Sequence, residues 1–255
     1  MTYKNFEEVL KLSGKPFIEA LLKFEQERFD AEFLKGSVYE QINIEFGIFP
    51  AKKVYPMYFA GDILQPQDKF IFIGMNPGYS EKGNQKEQEY AEKSGYLEYS
   101  RTIFQYCKKQ SNSLIPYYAN IAGFLKRLYG IEKIDWDWYQ ENSINLEMIP
   151  YHSANTSGLR INDPAGFRKV YFEILLKFLE HLNPQKSVFI LGFPTFEQYL
   201  SQSHFKDIIY FEKHNNFWVG KIANKYDFIG LPFLTRIKGG KDALVEGIKK
   251  LNLNL

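Results

Sequence analysis

Cysteine is nearly missing from this chain: its 255 residues hold one, Cys107. A single thiol excludes a disulfide framework within the chain, and equally a four-cysteine iron–sulfur cluster or zinc knuckle. An excess of either charge is also missing, since 32 Lys and Arg face 30 Asp and Glu for a net charge of +2. A polycation that coats nucleic acid is thereby excluded, while a local basic patch remains open. No apolar run approaches the roughly 20 residues that span a bilayer. The opening stretch "MTYKNFEEVLKL" carries charge and no signal-peptide apolar core, so a cytoplasmic protein without a membrane partner is expected. Internal repeats and low-complexity tracts are absent.

What is present is a globular composition, 45% hydrophobic and 24% charged, with an aromatic share raised by 23 Phe and 18 Tyr. Large rings fill a core and also make stacking surfaces for bases. We expect a single domain over 1–255, made of a helical N-terminal extension (1–67) and an α/β core (68–255). In the extension, "KPFIEALLKFEQERF" places Phe17, Ala20, Leu21, Phe24 and Arg28 at helical spacing after Pro16, with Gly36 beyond its end. In the core, "KFIFIG", "NSINLEMIPY", "KSVFILGF" and "YDFIGLPF" read as strands. "NDPAGFRKVYFEILLKFLEHLNP" reads as a helix capped by Asp163 and entered through Pro164. The pair "DIIYF" and "FWVGKIA" around His214-Asn215-Asn216 predicts a hairpin. Strand and helix alternating at this spacing predict an open, mostly parallel sheet whose ligands collect at the strands' carboxyl ends. Four segments fall at those ends: 74–78, 150–155, 192–195 and 231–238.

The first of them lies in "FIFIGMNPGYS". Gly74 and Gly78 allow a sharp turn and close approach of backbone to a ligand, and Pro77 stiffens it. Backbone amides there suit a developing negative charge, and Asn76 brings a carboxamide donor and acceptor that holds water or a carbonyl without titrating. The same pattern also suits a strand-to-loop corner with no ligand. Neither a phosphate-binding P-loop nor a G-x-G-x-x-G fingerprint occurs.

"GMNPG" after an apolar strand resembles the first active-site motif of the uracil-DNA glycosylase superfamily. Its five letters are those of the single-strand-selective monofunctional branch, and the mismatch-specific branch has G-I-N-P-G. The resemblance is sharp over these residues, extends as an order of elements over 69–254, and is absent from the N-terminal helices. It implies a three-layer α/β/α fold with a central, mostly parallel four-stranded sheet. It implies no metal and no cofactor, and a catalytic Asn76 orienting the water that attacks C1′. Gly74, Met75, Pro77, Gly78 and Tyr79 then line the substrate, with Tyr79 or Tyr96 as the ring that stacks on the base. In "INLEMIPYHS", Asn145 matches the Asn that reads the base edge; a carboxamide distinguishes an imide from cytosine by donating to a carbonyl and accepting from N3–H. His152 nearby is a candidate to bind phosphate or polarise a base carbonyl.

A second family motif departs. The superfamily often carries His-Pro-Ser-Pro after the last strand, its His stabilising charge on the leaving base. Here "GLPFLTRIKGG" puts Leu231-Pro232 in that place. Loss of such a donor costs about 3–4 kcal/mol. The same loop supplies a candidate DNA contact through Thr235, Arg236, Lys238 and Lys241, with Phe233 or Leu234 as an apolar wedge. These residues lead to a monofunctional glycosylase acting on uracil or another aberrant base in single- or double-stranded DNA, functioning as a monomer. A catalytically weak or inactive nucleic-acid-binding member of the same fold is the alternative, and a nucleoside-cleaving enzyme ranks third.

Overall fold

In a computed structural model, residues 5–28, 55–75, 81–152, 167–201, 208–234, 240–251 and 253 are described. The apolar run predicted as the first core strand is β2 (Phe70–Gly74), with every residue after Phe70 buried. The "VFIL" run is β4 (Val188–Leu191), buried throughout, and "YDFIGL" is β7 (Tyr226–Leu231). Continuous burial on both faces is what parallel strands require. The three are parallel, with Phe72 opposite Phe189, Ile73 opposite Ile190 and Leu191 opposite Leu231. The predicted hairpin is β5 (Ile209–His214) and β6 (Phe217–Ile222), antiparallel to each other, with β6 antiparallel to β7. Asn215 turns the corner at φ 48°, a left-handed conformation that Asn tolerates.

With β1 (Phe59–Ala60) and β3 (Ser143–Glu147), the protein has α/β architecture and a mixed seven-stranded sheet in the order β1-β3-β2-β4-β7-β6-β5. The expectation was four mostly parallel strands. The antiparallel hairpin joins the same sheet rather than standing apart, because β6 takes up the free edge of β7. The short β1 lies in a stretch expected to be helical.

Nine helices occur among the described residues: α1 (Phe6–Leu10), α2 (Gly14–Arg28), α3 (Glu81–Ser94), α4 (Tyr96–Gln110), α5 (Pro116–Tyr129), α6 (Trp136–Asn142), α7 (Phe167–Leu182), α8 (Phe193–Ser201) and α9 (Lys241–Lys249). None is long and apolar enough to cross a membrane among those residues. Local chemistry explains several ends. Pro116 starts α5 where its missing N–H costs nothing, and Gly130 at φ 71° ends it by donating its N–H to the Lys126 carbonyl. The Asp135 side chain accepts from Trp138 N–H at 3.0 Å to cap α6. The predicted caps of α7, Asp163 and Pro164, and Gly36 beyond α2 lie outside the described residues.

Two compact units divide the chain: Met1–Ala60, Met75–Arg101 and Leu146–Asn183 in the first, Gly61–Gly74, Thr102–Asn145 and Pro184–Leu255 in the second. In the first unit the apolar stripe of α2 (Phe17, Ala20, Leu21, Phe24) is buried as its spacing predicted, and Phe17 meets Phe178 of α7 edge-on at 5.5 Å. In the second, Phe72, Phe124 and Phe189 pack as a ring cluster, with centroids 5.6–5.7 Å apart across the sheet and α5.

Candidate functional site

In the second unit, parallel β2, β4 and β7 bring Gly74, Gly192 and Leu231 to one edge of the sheet, where all three strands end. Gly192 follows β4 at φ 75°, and a Cβ there would come within 2.5 Å of the Phe233 ring, so only glycine lets that ring lie down on the turn. Leu231 is wholly buried and Leu234 is 5% exposed. The position where the resemblance expects a histidine thus belongs to the core, and Leu234 does not stand out as a wedge. Lys241 opens α9, and its Nζ donates to Asn120 Oδ1 on α5 at 2.6 Å. Arg127 Nε on α5 pairs with Asp242 at 2.8 Å, tying the same two helices together.

Asn145 is the third residue of β3 rather than its last. Three polar residues, Ser143, Asn145 and Glu147, alternate along this strand with Ile144 and Leu146, so by the pleat they share a face. Asn145 is 2% exposed. Its Nδ2 donates to the Tyr118 hydroxyl at 3.2 Å, while its Oδ1 is buried with no hydrogen-bond partner. Buried carbonyl oxygens are seldom left this way, and the cost is about 1–3 kcal/mol.

The first unit holds Met75 and His152. Met75 is buried, and its carbonyl accepts from Ile149 N–H at 2.8 Å, while Pro150 O accepts from Met57 N–H at 2.7 Å. These bonds anchor Ile149 and Pro150, just before His152, which is itself 3% exposed. Glu147 N–H donates to Tyr58 O at 3.0 Å. The Glu147 Oε2 is closed off from solvent and has no hydrogen-bond partner, and burial pushes the carboxyl pKa up to about 8. Burial thus disfavours the charged form of this side chain.

Behind Tyr151 lies a connected polar interior. Tyr58 Oη donates to Glu25 Oε1 at 2.9 Å, and Arg28 Nη1 reaches the same oxygen at 3.4 Å and Tyr151 Oη at 3.2 Å. Tyr151 and Tyr171 share a hydrogen bond of 2.6 Å. Burial, reinforced by the Glu25 carboxylate, raises the Tyr58 hydroxyl well above its ordinary pKa. Tyr96, a candidate base-stacking ring, is instead packed on Tyr55 with centroids 5.1 Å apart and donates its hydroxyl to the Pro56 carbonyl. Its ring is a core element of this unit.

Asn76, Pro77, Gly78 and Tyr79, together with Thr235, Arg236 and Lys238, lie outside the described residues. Among the described ones, no group of three His, Cys, Asp or Glu is placed to hold a metal ion. Sequence reasoning passed over Tyr118 and Glu147. Glu147 carried a signal, since "SINLE" alternates polar and apolar where a buried strand should be apolar throughout. Tyr118 carried none among eighteen tyrosines. No protein-family model matches this chain, and no curated protein matches it.

Proposed function

We propose that this protein is a monofunctional DNA glycosylase that hydrolyses the N-glycosidic bond of uracil or another aberrant base, a member of the uracil-DNA glycosylase superfamily. The observation that carries the reading is the Asn145 carboxamide, 2% exposed on β3 with its Oδ1 unpaired. A buried acceptor left open is what a ligand's N–H completes. Support also comes from the G-M-N-P-G stretch of sequence, whose first residue, Gly74, lies on the carboxyl edge shared by β2, β4 and β7. Under this reading β2, β3, β4 and β7 correspond to the family's four-stranded core, and β1 and the β5–β6 hairpin are additions to it.

In the reaction, the base is extruded from the stack and its N3–H meets Asn145 Oδ1. The C1′–N bond breaks with its electron pair leaving on the base, and the sugar becomes oxocarbenium-like. Asn76 holds the water that adds to C1′; the proton that water sheds is taken up, through solvent, by the departed base anion, giving an abasic sugar and free base. Amides of the 74–78 turn take up part of the charge on the leaving base. Thr235, Arg236, Lys238 and Lys241 contact phosphate. No cofactor takes part, and the protein acts as a monomer.

The test is abasic-site formation on a panel of uracil-containing and modified oligonucleotides, single- and double-stranded. Release by the wild type that drops at least about a hundredfold in Asn76→Ala supports the assignment. A panel left wholly intact ends it. One observation favours a second reading, a nucleic-acid-binding member with weak or no chemistry: Leu231 is a fully buried core residue at the place of the family's charge-stabilising histidine. Oligonucleotide binding without base release would select that reading.

A further inference from the structure

We propose that Glu147 is a catalytic acid, giving its proton to the departing base and taking one back from the attacking water. The inference rests on the glycosylase reading and replaces solvent with a side chain as the carrier of that proton. The need for a carrier comes from Leu231, which stands in place of the family's charge-stabilising histidine, is wholly buried and has no proton to give. Glu147 ends β3, and the chain around it is pinned on two sides within the first unit. Its N–H donates to Tyr58 O at 3.0 Å, while Ile149 N–H, two residues on, donates to Met75 O at 2.8 Å. Those two N–H groups reach different neighbours because the chain bends at Met148 and Ile149. The bend carries the strand end across to Met75, whose next residue in sequence is Asn76, the residue assigned to the water. Neighbouring strands lie about 4.8 Å apart, a distance a glutamate side chain can cross.

The carboxyl itself is open for use. The residue is half-buried, yet Oε2 is closed off from solvent and has no hydrogen-bond partner. Glu25, the buried carboxylate of the same unit, accepts from both Tyr58 and Arg28. A carboxyl that only builds structure is bonded in that way, whereas one left unbonded costs stability. Burial also raises the Glu147 pKa, so the group keeps a proton at pH values where an exposed glutamate has lost it. That is the protonation state a proton donor requires. In the step, the C1′–N bond breaks with its electron pair going to the base, and the Glu147 O–H proton passes to that base. The carboxylate left behind takes a proton from the water as the water oxygen bonds to C1′, which restores the acid. The products are an abasic sugar and a neutral base, with no further reactant. The substrates so favoured are bases that leave poorly as anions.

The experiment is single-turnover base release by the full chain from two single-stranded oligonucleotides that differ at one base, uracil or 5-fluorouracil. Fluorine makes the departing anion more stable, so its release depends less on a proton donor. Glu147→Gln keeps the size of the side chain and cannot hand over a proton. It is expected to slow uracil release at least about a hundredfold, and to slow 5-fluorouracil release at least about tenfold less than that. A purely structural role would slow both alike, and equal losses would overturn the proposal. Rates that Glu147→Gln leaves unchanged would overturn it as well.

Should Glu147→Gln fail to fold, the wild type still decides. With an acid in place its two rates are expected to lie within about tenfold of each other, and a larger advantage for 5-fluorouracil sinks the idea. The glycosylase reading fails separately, on the wider panel of modified oligonucleotides. Release that survives Glu147→Gln removes the Glu147 role alone. A wild type that releases neither base removes it too, and leaves the panel to decide the broader assignment.

Discussion

Two buried polar clusters, one in each unit, are paired to different extents. In the first, Glu25, Arg28, Tyr58, Tyr151 and Tyr171 form a network in which each hydroxyl, the guanidinium and the carboxylate meet one another. In the second, Asn145 is buried just as deeply but is bonded at one end only. A closed network holds helix α2 and the segment at Tyr151 in register and has nothing left to offer a ligand. An open acceptor costs stability and is tolerated where something else completes it. The contrast separates a closed polar network from a carboxamide with one atom left open.

The comparison is broken most forcefully at Glu25. Glu25→Leu leaves the Arg28 charge, 11% exposed, without its carboxylate and strands the Tyr58 hydroxyl. A loss of about 3–5 kcal/mol is expected in urea unfolding. Arg28→Met added to it should recover part of that loss, because no unpaired charge then remains. If Glu25→Leu unfolds at the wild-type midpoint, the network is not what holds this interior.

Glu147 is a half-buried residue whose Oε2 is closed off without a hydrogen-bond partner. Its folded pKa is raised from the usual 4.5 to about 8, so the native state binds the extra proton between those values. Stability from this group is whole below about pH 4.5 and is lost as pH rises through 8, by at most ~1.4 kcal/mol per pH unit. Glu147→Gln should remove that slope, leaving the variant relatively more stable at pH 9 than at pH 5. Parallel pH profiles for the two proteins would show that the carboxyl is ionised and solvated.

The smallest change in stability is expected at Asn145. Asn145→Leu gives up the bond to Tyr118 but also removes a buried acceptor without a partner, so the two effects offset and stability should shift by less than ~1.5 kcal/mol, in either direction. Binding of 1-methyluracil and base release should nevertheless disappear. A variant that is strongly destabilised, or that still binds, would move Asn145 into the same class as Glu25.

Much of the scaffold was legible because period and punctuation speak locally. "KFIFIG", "VFIL" and "YDFIGL" are strands, and the Asn-Asn hairpin and the α2 stripe are where their patterns put them. The number and direction of strands in the sheet were less legible. Adding β6 beside β7 depends on edge hydrogen bonding between segments whose own sequences do not name a neighbour. Asn145 stood out through a motif, yet its partner Tyr118 is 27 residues away and looks like any other tyrosine. Tyr96 was proposed to stack a base because its ring suits the task. Packing on Tyr55 and the bond to Pro56 give it a different one.

By itself the sequence determined an α/β chain without internal disulfides and the position of its main strands and helices. These follow from residue chemistry acting over a few neighbours: side-chain period, proline's fixed φ, glycine's freedom and the count of thiols. The tertiary structure alone decided that Leu231 belongs to the core, that burial disfavours the charged form of Glu147, and that Asn145 meets Tyr118. Each of those is a matter of what lies across space, where burial and a distant hydroxyl set the free energy of a group more than its sequence neighbours do.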